Sequence, residues 1–210
     1  IMAVTTGAGL EGVIATQSEI CYIDGEAGVL AYQGYTIHTL AENASFEEVI
    51  YLLWNGKLPN QTELDYFKKN LVQYRPIPKQ VQEFLASVPN ATPMDVLRTA
   101  VSMLSLYDPL VKDMSTESNL AKAHRLMSQT ATIVTTFDRL RKNLPVLDGD
   151  PELSFAANFL YTLTGNKPDE VMERAFDIAL TLHADHELNA STFAARVTAA
   201  TLSDIYSAVT

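Results

Sequence analysis

After Ile37 the sequence is punctuated as a succession of helices, and that punctuation limits the fold more than any other feature. Ser45-Phe46-Glu47-Glu48 is a capping box, in which a serine and a glutamate three residues on satisfy each other's backbone N–H groups. It opens an apolar run from Val49 to Trp54, and Asn55-Gly56 ends that run as a C-terminal cap does. Asn60-Gln61-Thr62-Glu63 starts a second helix through about Tyr74, and Pro76 and Pro78 break it. A short helix is expected from about Lys79 to Val88. Thr92-Pro93-Met94-Asp95 combines a cap residue, a proline at the first helical position and an acid in the first turn, opening a helix to about Tyr107. From Asn119 to Asn143, Leu120, Ala123, Leu126, Met127, Thr130, Val134 and Phe137 recur close to every 3.6 residues. A polar loop reaches Pro151, and LSFAANFLYTLTG (153–165) follows, apolar almost all round. A helix apolar on every side is buried on every side. Pro168-Asp169-Glu170 opens a helix through Leu182. Ser191 is expected to cap a last helix still running at Thr210, because no glycine or proline stop follows it.

The first 37 residues follow a different pattern. SEICYIDGEAGVLAYQGYTI (18–37) reads as two short strands around Asp24-Gly25, so a small β-ribbon precedes the helices. The expected class is mainly α, multi-helical, with a small N-terminal β-ribbon. Hydrophobic residues make up 47% of the 210, which is enough for a sizeable core.

Charge and cysteine usage exclude several roles. A formal net charge of −10 argues against nucleic acid or an anionic lipid surface as partner, since phosphate binding needs clustered Lys and Arg. A local cation cluster could still hold a small anion. The single cysteine, Cys21, forbids an intrachain disulfide. It sits in the apolar run Ile20-Cys21-Tyr22-Ile23 and reads as a small packed residue, not a nucleophile. No segment approaches the ~20 apolar residues of a membrane span. The start, IMAVTTGAGLEGV, lacks the basic region of a signal peptide. A soluble, cytoplasmic protein is the expectation.

One segment carries chemistry. His183-Ala184-Asp185-His186-Glu187 gathers two imidazoles and two carboxylates in five residues, delivered by the apolar helix VMERAFDIALTL (171–182). If helical, His183 and His186 share a face. Three readings are open. The first is structural, one histidine satisfied in the core and the other at the surface. The second is a metal site completed by Asp185, although the spacing is not that of HExxH and the remaining histidines, His38 and His124, form no second cluster in sequence. The third is binding of an anionic substrate, an imidazole N–H donating to a carboxylate.

Here a resemblance separates the readings. LHADHELNASTFAARV (182–197) and ATLSDIYSAVT (200–210) resemble a stretch shared by citrate synthases and 2-methylcitrate synthases. GLEGVIATQSEICYIDGEAGVLAYQGYTI (9–37) resembles the opening of that family, and SFEEVIYLLWNGKLPNQTEL (45–64) and TPMDVLRTAVSML (92–104) resemble its next helices. LSFAANFLYTLTG is similar to a helix of the family's dimer interface. The resemblance implies a citrate-synthase-like fold, with 1–37 an N-terminal segment bearing the ribbon and 38–210 an incomplete helical large domain. It implies condensation of acetyl-CoA with oxaloacetate to citrate and CoA, or of propionyl-CoA in the 2-methylcitrate case. It implies a homodimer or a higher assembly built on one, acetyl-CoA as a substrate, no permanently bound cofactor and no metal. Matched residue by residue, His186 falls on a position that helps hold oxaloacetate, with His183 and Asn189 in supporting places. The family's GPLHGG-like and GHxVY-like motifs, its catalytic aspartate and its substrate arginines have no match in these 210 residues. No catalytic residue is therefore assigned, and these residues alone are expected to be inactive. A noncatalytic helical assembly protein is the alternative if the natural chain ends at Thr210.

Overall fold

The capping box read from the sequence forms as a hydrogen-bonded unit. In the computed structural model, which describes residues 18–210, the Ser45 hydroxyl accepts the Glu48 N–H and the Glu48 carboxylate accepts the Ser45 N–H at 2.8 Å. This starts α2 (Phe46–Asn55), and Gly56 closes it at φ 72°, a left-handed conformation that costs a residue without a Cβ nothing. Asn60 and Glu63 form a second box at the start of α3 (Gln61–Gln73). Thr92 offers no side-chain cap, so Pro93 alone opens α5 (Pro93–Leu104).

The ribbon is a three-stranded antiparallel sheet in the order β1 (Cys21–Asp24), β2 (Val29–Tyr32), β3 (Tyr35–Thr36). Register pairs Cys21 with Tyr32 and Asp24 with Val29. The hairpin loop is longer than a two-residue turn, and Asp24 Oδ1 organises it by accepting the N–H groups of Glu26 and Ala27 at 3.0 and 2.9 Å. Thr36 then caps α1 (Ile37–Asn43).

The remaining helices are α4 (Lys79–Ser87), α6 (Thr116–Arg141), α7 (Phe155–Thr164), α8 (Glu170–Leu182), α9 (Ala190–Ala200) and α10 (Ile205–Val209). One core joins α4, α5, α6 and α10 through Val81, Leu85, Ala100, Leu104, Ile133 and Tyr206. A second joins the ribbon to α1 and α2 through Tyr32, Leu40, Val49 and Leu52. Burying each such aliphatic side chain contributes roughly 1.5–3 kcal/mol.

Four sequence expectations are corrected. The long helix begins at Thr116 under a Ser115 cap, a turn before Asn119, because the Ser115 hydroxyl takes the Ser118 N–H. The final helix is capped by Asn189 rather than Ser191. It does not run to Thr210. It breaks at Leu202 (φ 62°), and Asp204 recaps α10 by accepting the Ser207 N–H at 3.0 Å. Finally, α7 is buried on one face only. Ala156, Ala157, Asn158 and Thr162 are enclosed, while Phe155 and Phe159 line an apolar groove of about 720 Å³ between α5, α6, α7 and α8.

Candidate functional site

The helix that delivers the histidines is locked in place before it reaches them. Asp177 of α8 is buried, and its Oδ1 accepts the Phe46 N–H at the start of α2 at 2.9 Å. Its Oδ2 pairs with Arg174 at 2.9 Å, and Arg174 also donates to the carbonyls of Ala41 and Ala44. Burial pushes the Asp177 carboxyl above its usual range, against the pull of the Phe46 N–H and Arg174. The axis of α8 is thereby tied to the α1–α2 corner.

The helix ends at Leu182, so His183 and His186 do not share a helical face. The reason is local. His183 is the C-terminal cap, its ring Nδ1 lies 2.7 Å from the Ala179 carbonyl oxygen, and the chain then leaves the helix. That oxygen only accepts, so Nδ1 carries the proton. Asn189, at the far end of the connection, turns its Oδ1 onto the Thr192 N–H at 2.9 Å and caps α9. Two of the three residues singled out in the sequence therefore have structural hydrogen bonds. His186, between them, is exposed and makes no hydrogen bond to any described residue.

The acids around His186 are turned to the ribbon. Glu187 Oε1 accepts the Ile23 N–H of β1 at 3.0 Å. The Asp185 carboxylate faces the Cys21 thiol. Burial, then that carboxylate, pushes the thiol up to about 11, so Cys21 is the packed, protonated residue its sequence context implied. Tyr32, fully buried, reaches the same connection. Its hydroxyl lies 2.9 Å from the Asp185 carbonyl and 3.2 Å from that of Thr181, and its oxygen accepts the Asp185 N–H at 3.2 Å. Sequence reasoning passed over Tyr32. The available signal was a tyrosine in a strand bound for the core, whose hydroxyl must find a polar partner.

Among the described residues no set of three or more His, Cys, Asp or Glu side chains is arranged to hold a metal ion. His124 packs against the rings of Trp54 and Phe67 at centroid distances of 5.0 and 4.8 Å, and burial depresses its basicity. No described helix is long and apolar enough to cross a membrane.

The HADHELN connection, the ribbon and the helical frame can be set beside known proteins. The sequence profile described as citrate synthase, C-terminal domain, matches residues 9–210. The chain belongs to the citrate synthase family. It is 48% identical over 208 residues to citrate synthase 2 of Bacillus subtilis, covering 98% of this chain and 55% of that protein. It is 41% identical over 203 residues to 2-methylcitrate synthase of Mycobacterium tuberculosis, covering 96% and 51%. The chain thus spans about half the length of the curated relatives it matches. In three dimensions it superposes on citrate synthase from Pyrobaculum aerophilum with a TM-score of 0.91 at 39% identity, over 96% of this chain and 52% of that one. A Thermoplasma acidophilum citrate synthase, solved as a ternary complex with carboxymethyl coenzyme A and oxaloacetate, superposes with a TM-score of 0.88 at 30% identity, over 95% of this chain and 53% of that one.

Proposed function

We propose that the protein condenses acetyl-CoA with oxaloacetate to give citrate and CoA, and that His186 contributes to holding oxaloacetate. Family membership across residues 9–210 is the observation that carries the reading, and the Thermoplasma relative was solved with a coenzyme A derivative and oxaloacetate. The site chemistry agrees. Among the described residues His186 has no structural partner, while its neighbouring carboxylates are occupied by Cys21 and the Ile23 N–H. An imidazole N–H presented in this way can donate to a substrate carboxylate. His183 and Asn189 support it indirectly, by ending α8 and starting α9.

The intact protein should release free CoA thiol from acetyl-CoA only when oxaloacetate is present; folded protein that releases none would overturn the reading. His186→Ala should weaken oxaloacetate binding by roughly ten- to a hundredfold, the loss of one hydrogen bond to a charged group. The 41% identical 2-methylcitrate synthase favours a second reading, with propionyl-CoA as the preferred acyl donor. Comparing kcat/KM for the two acyl-CoA substrates separates them, because one methylene is worth only ~1–3 kcal/mol in a pocket. The homodimer belongs to the same proposal, and sedimentation of the intact protein tests it.

A further inference from the structure

We propose that the N-terminal β-ribbon is the positioning element for His186, acting through Tyr32 and Glu187; the inference rests on the oxaloacetate-holding role proposed above. His186 has no side-chain bond of its own to fix it among the described residues, so its place is set by its backbone. Both of its chain neighbours are tied to the ribbon. Asp185 is held at its N–H and its carbonyl by the single hydroxyl of Tyr32, at 3.2 and 2.9 Å. Glu187 is held by the Ile23 N–H at 3.0 Å. These bonds span 153 and 164 residues of sequence, so nothing local requires them.

The backbone between the two ties is unusual. Glu187 has φ 69°, a left-handed conformation that a side chain of this kind keeps only when its surroundings over-determine it. The tie to Ile23 on one side and the Asn189 N–H donating to the Glu187 carbonyl at 3.0 Å on the other supply that constraint. The two acids flanking His186 are engaged with the ribbon, Glu187 at the Ile23 N–H of β1 and Asp185 beside Cys21. Tyr32 and Glu187 touch no substrate in this scheme. They act through the loop.

The test is steady-state kinetics and oxaloacetate binding in the intact protein. Tyr32→Phe keeps the ring in the core and removes only the hydroxyl. Glu187→Ala, at an exposed site, removes the other tie with little risk to folding, and Glu187→Gln keeps an oxygen for the Ile23 N–H. Tyr32→Phe and Glu187→Ala should each raise KM for oxaloacetate roughly tenfold, a fraction of what an ångström of misplacement costs. KM for acetyl-CoA should not move, and Glu187→Gln should recover most of the loss. If both variants lower thermal stability but leave oxaloacetate KM unchanged while His186→Ala raises it, the ties are merely structural and the positioning role is wrong. If His186→Ala leaves oxaloacetate binding intact, the site reading itself fails and the positioning role goes with it.

Discussion

The Tyr206 hydroxyl, on the last helix, donates to Asp108 Oδ2 at 2.7 Å across 98 residues of sequence. Asp108 also forms an ion pair with Arg125 and accepts the Leu110 N–H at 2.9 Å, and Arg125 lies over the Tyr74 ring, 5.2 Å from its centroid. Burial alone would raise the Asp108 carboxyl, but the Tyr206 hydroxyl, the Leu110 N–H and Arg125 outweigh it and hold the group below its usual range. A depressed carboxyl contributes stability that is present above the unfolded value and lost as pH falls through the folded one. Tyr206→Phe should therefore cost about 1.5–3 kcal/mol at neutral pH, the worth of a hydrogen bond to a charged group. The difference from the parent should shrink below about pH 4, where the carboxylate protonates in the unfolded chain. Paired thermal melts at neutral and acid pH check both the size and the direction.

Cys21 gives a prediction of the opposite sign. A thiol raised to about 11 favours the protonated form in the folded protein, so its contribution is full below the ordinary thiol value of about 8.5 and fades as pH rises through about 11. At pH 9 only about 1% of Cys21 should be thiolate, against a majority for an exposed thiol. Labelling with a thiol-specific reagent at pH 9 should be slow for the folded protein and fast once denaturant is added. Rapid labelling of the folded state would show that the thiol is neither buried nor raised.

How much of this was legible in the sequence follows the range of the interactions. Features made by neighbours were readable: the box at Ser45, the helix start at Asn60, the stop at Gly56, the hairpin around Asp24. The HADHELN segment stood out in the sequence as a candidate site, but its internal geometry was not readable. A three-residue spacing suggested a shared helical face for His183 and His186, and the helix ends one residue before the first of them. Asn189 and Ser191 are both good cap residues, and only the path of the chain selects Asn189. The break at Leu202 has no glycine or proline to announce it, and the signal present was Ser203-Asp204, a cap pair hidden in an apolar run. Tyr32 and Asp177 were unreadable as anchors because their partners lie more than 130 positions away.

The loop before α7 packs tightly enough to forbid a single added carbon. A Cβ at Gly149 would meet Asn158 Oδ1 at 2.8 Å and the Arg75 side chain at 3.3 Å. Neither neighbour is free to retreat. Asn158 Oδ1 accepts the Asp150 N–H at 2.9 Å, and buried Arg75 donates to the carbonyls of Asp150 and Leu153 at 2.7 and 2.9 Å. Gly149→Ala should destabilise by about 1–3 kcal/mol, the usual result of overpacking. Urea denaturation should show a lower midpoint with an unchanged m-value; an unchanged midpoint would mean that the loop yields.

Asp177 is the test of whether α8 carries the site. Its carboxylate joins α8 to the first N–H of α2 and to Arg174. Asp177→Ala removes both contacts and leaves the buried Phe46 N–H without its acceptor, a loss of about 2–4 kcal/mol from two hydrogen bonds to a charged group. Asp177→Asn keeps an oxygen for the Phe46 N–H and loses the acceptor and the charge that face Arg174, so it should cost less than the alanine. Because burial raises the Asp177 carboxyl, folding favours its protonated form. The carboxylate's burden is absent below the unfolded value near 3.9 and grows as pH rises through the folded one. The asparagine variant carries no such burden, so its deficit relative to the parent should be larger in acid and smaller at neutral pH. Melting curves for the three proteins at several pH values give that ordering directly. If the alanine variant also weakens oxaloacetate binding in the intact protein beyond what the asparagine variant does, the α2 contact is what holds the end of α8, and with it His186, in position.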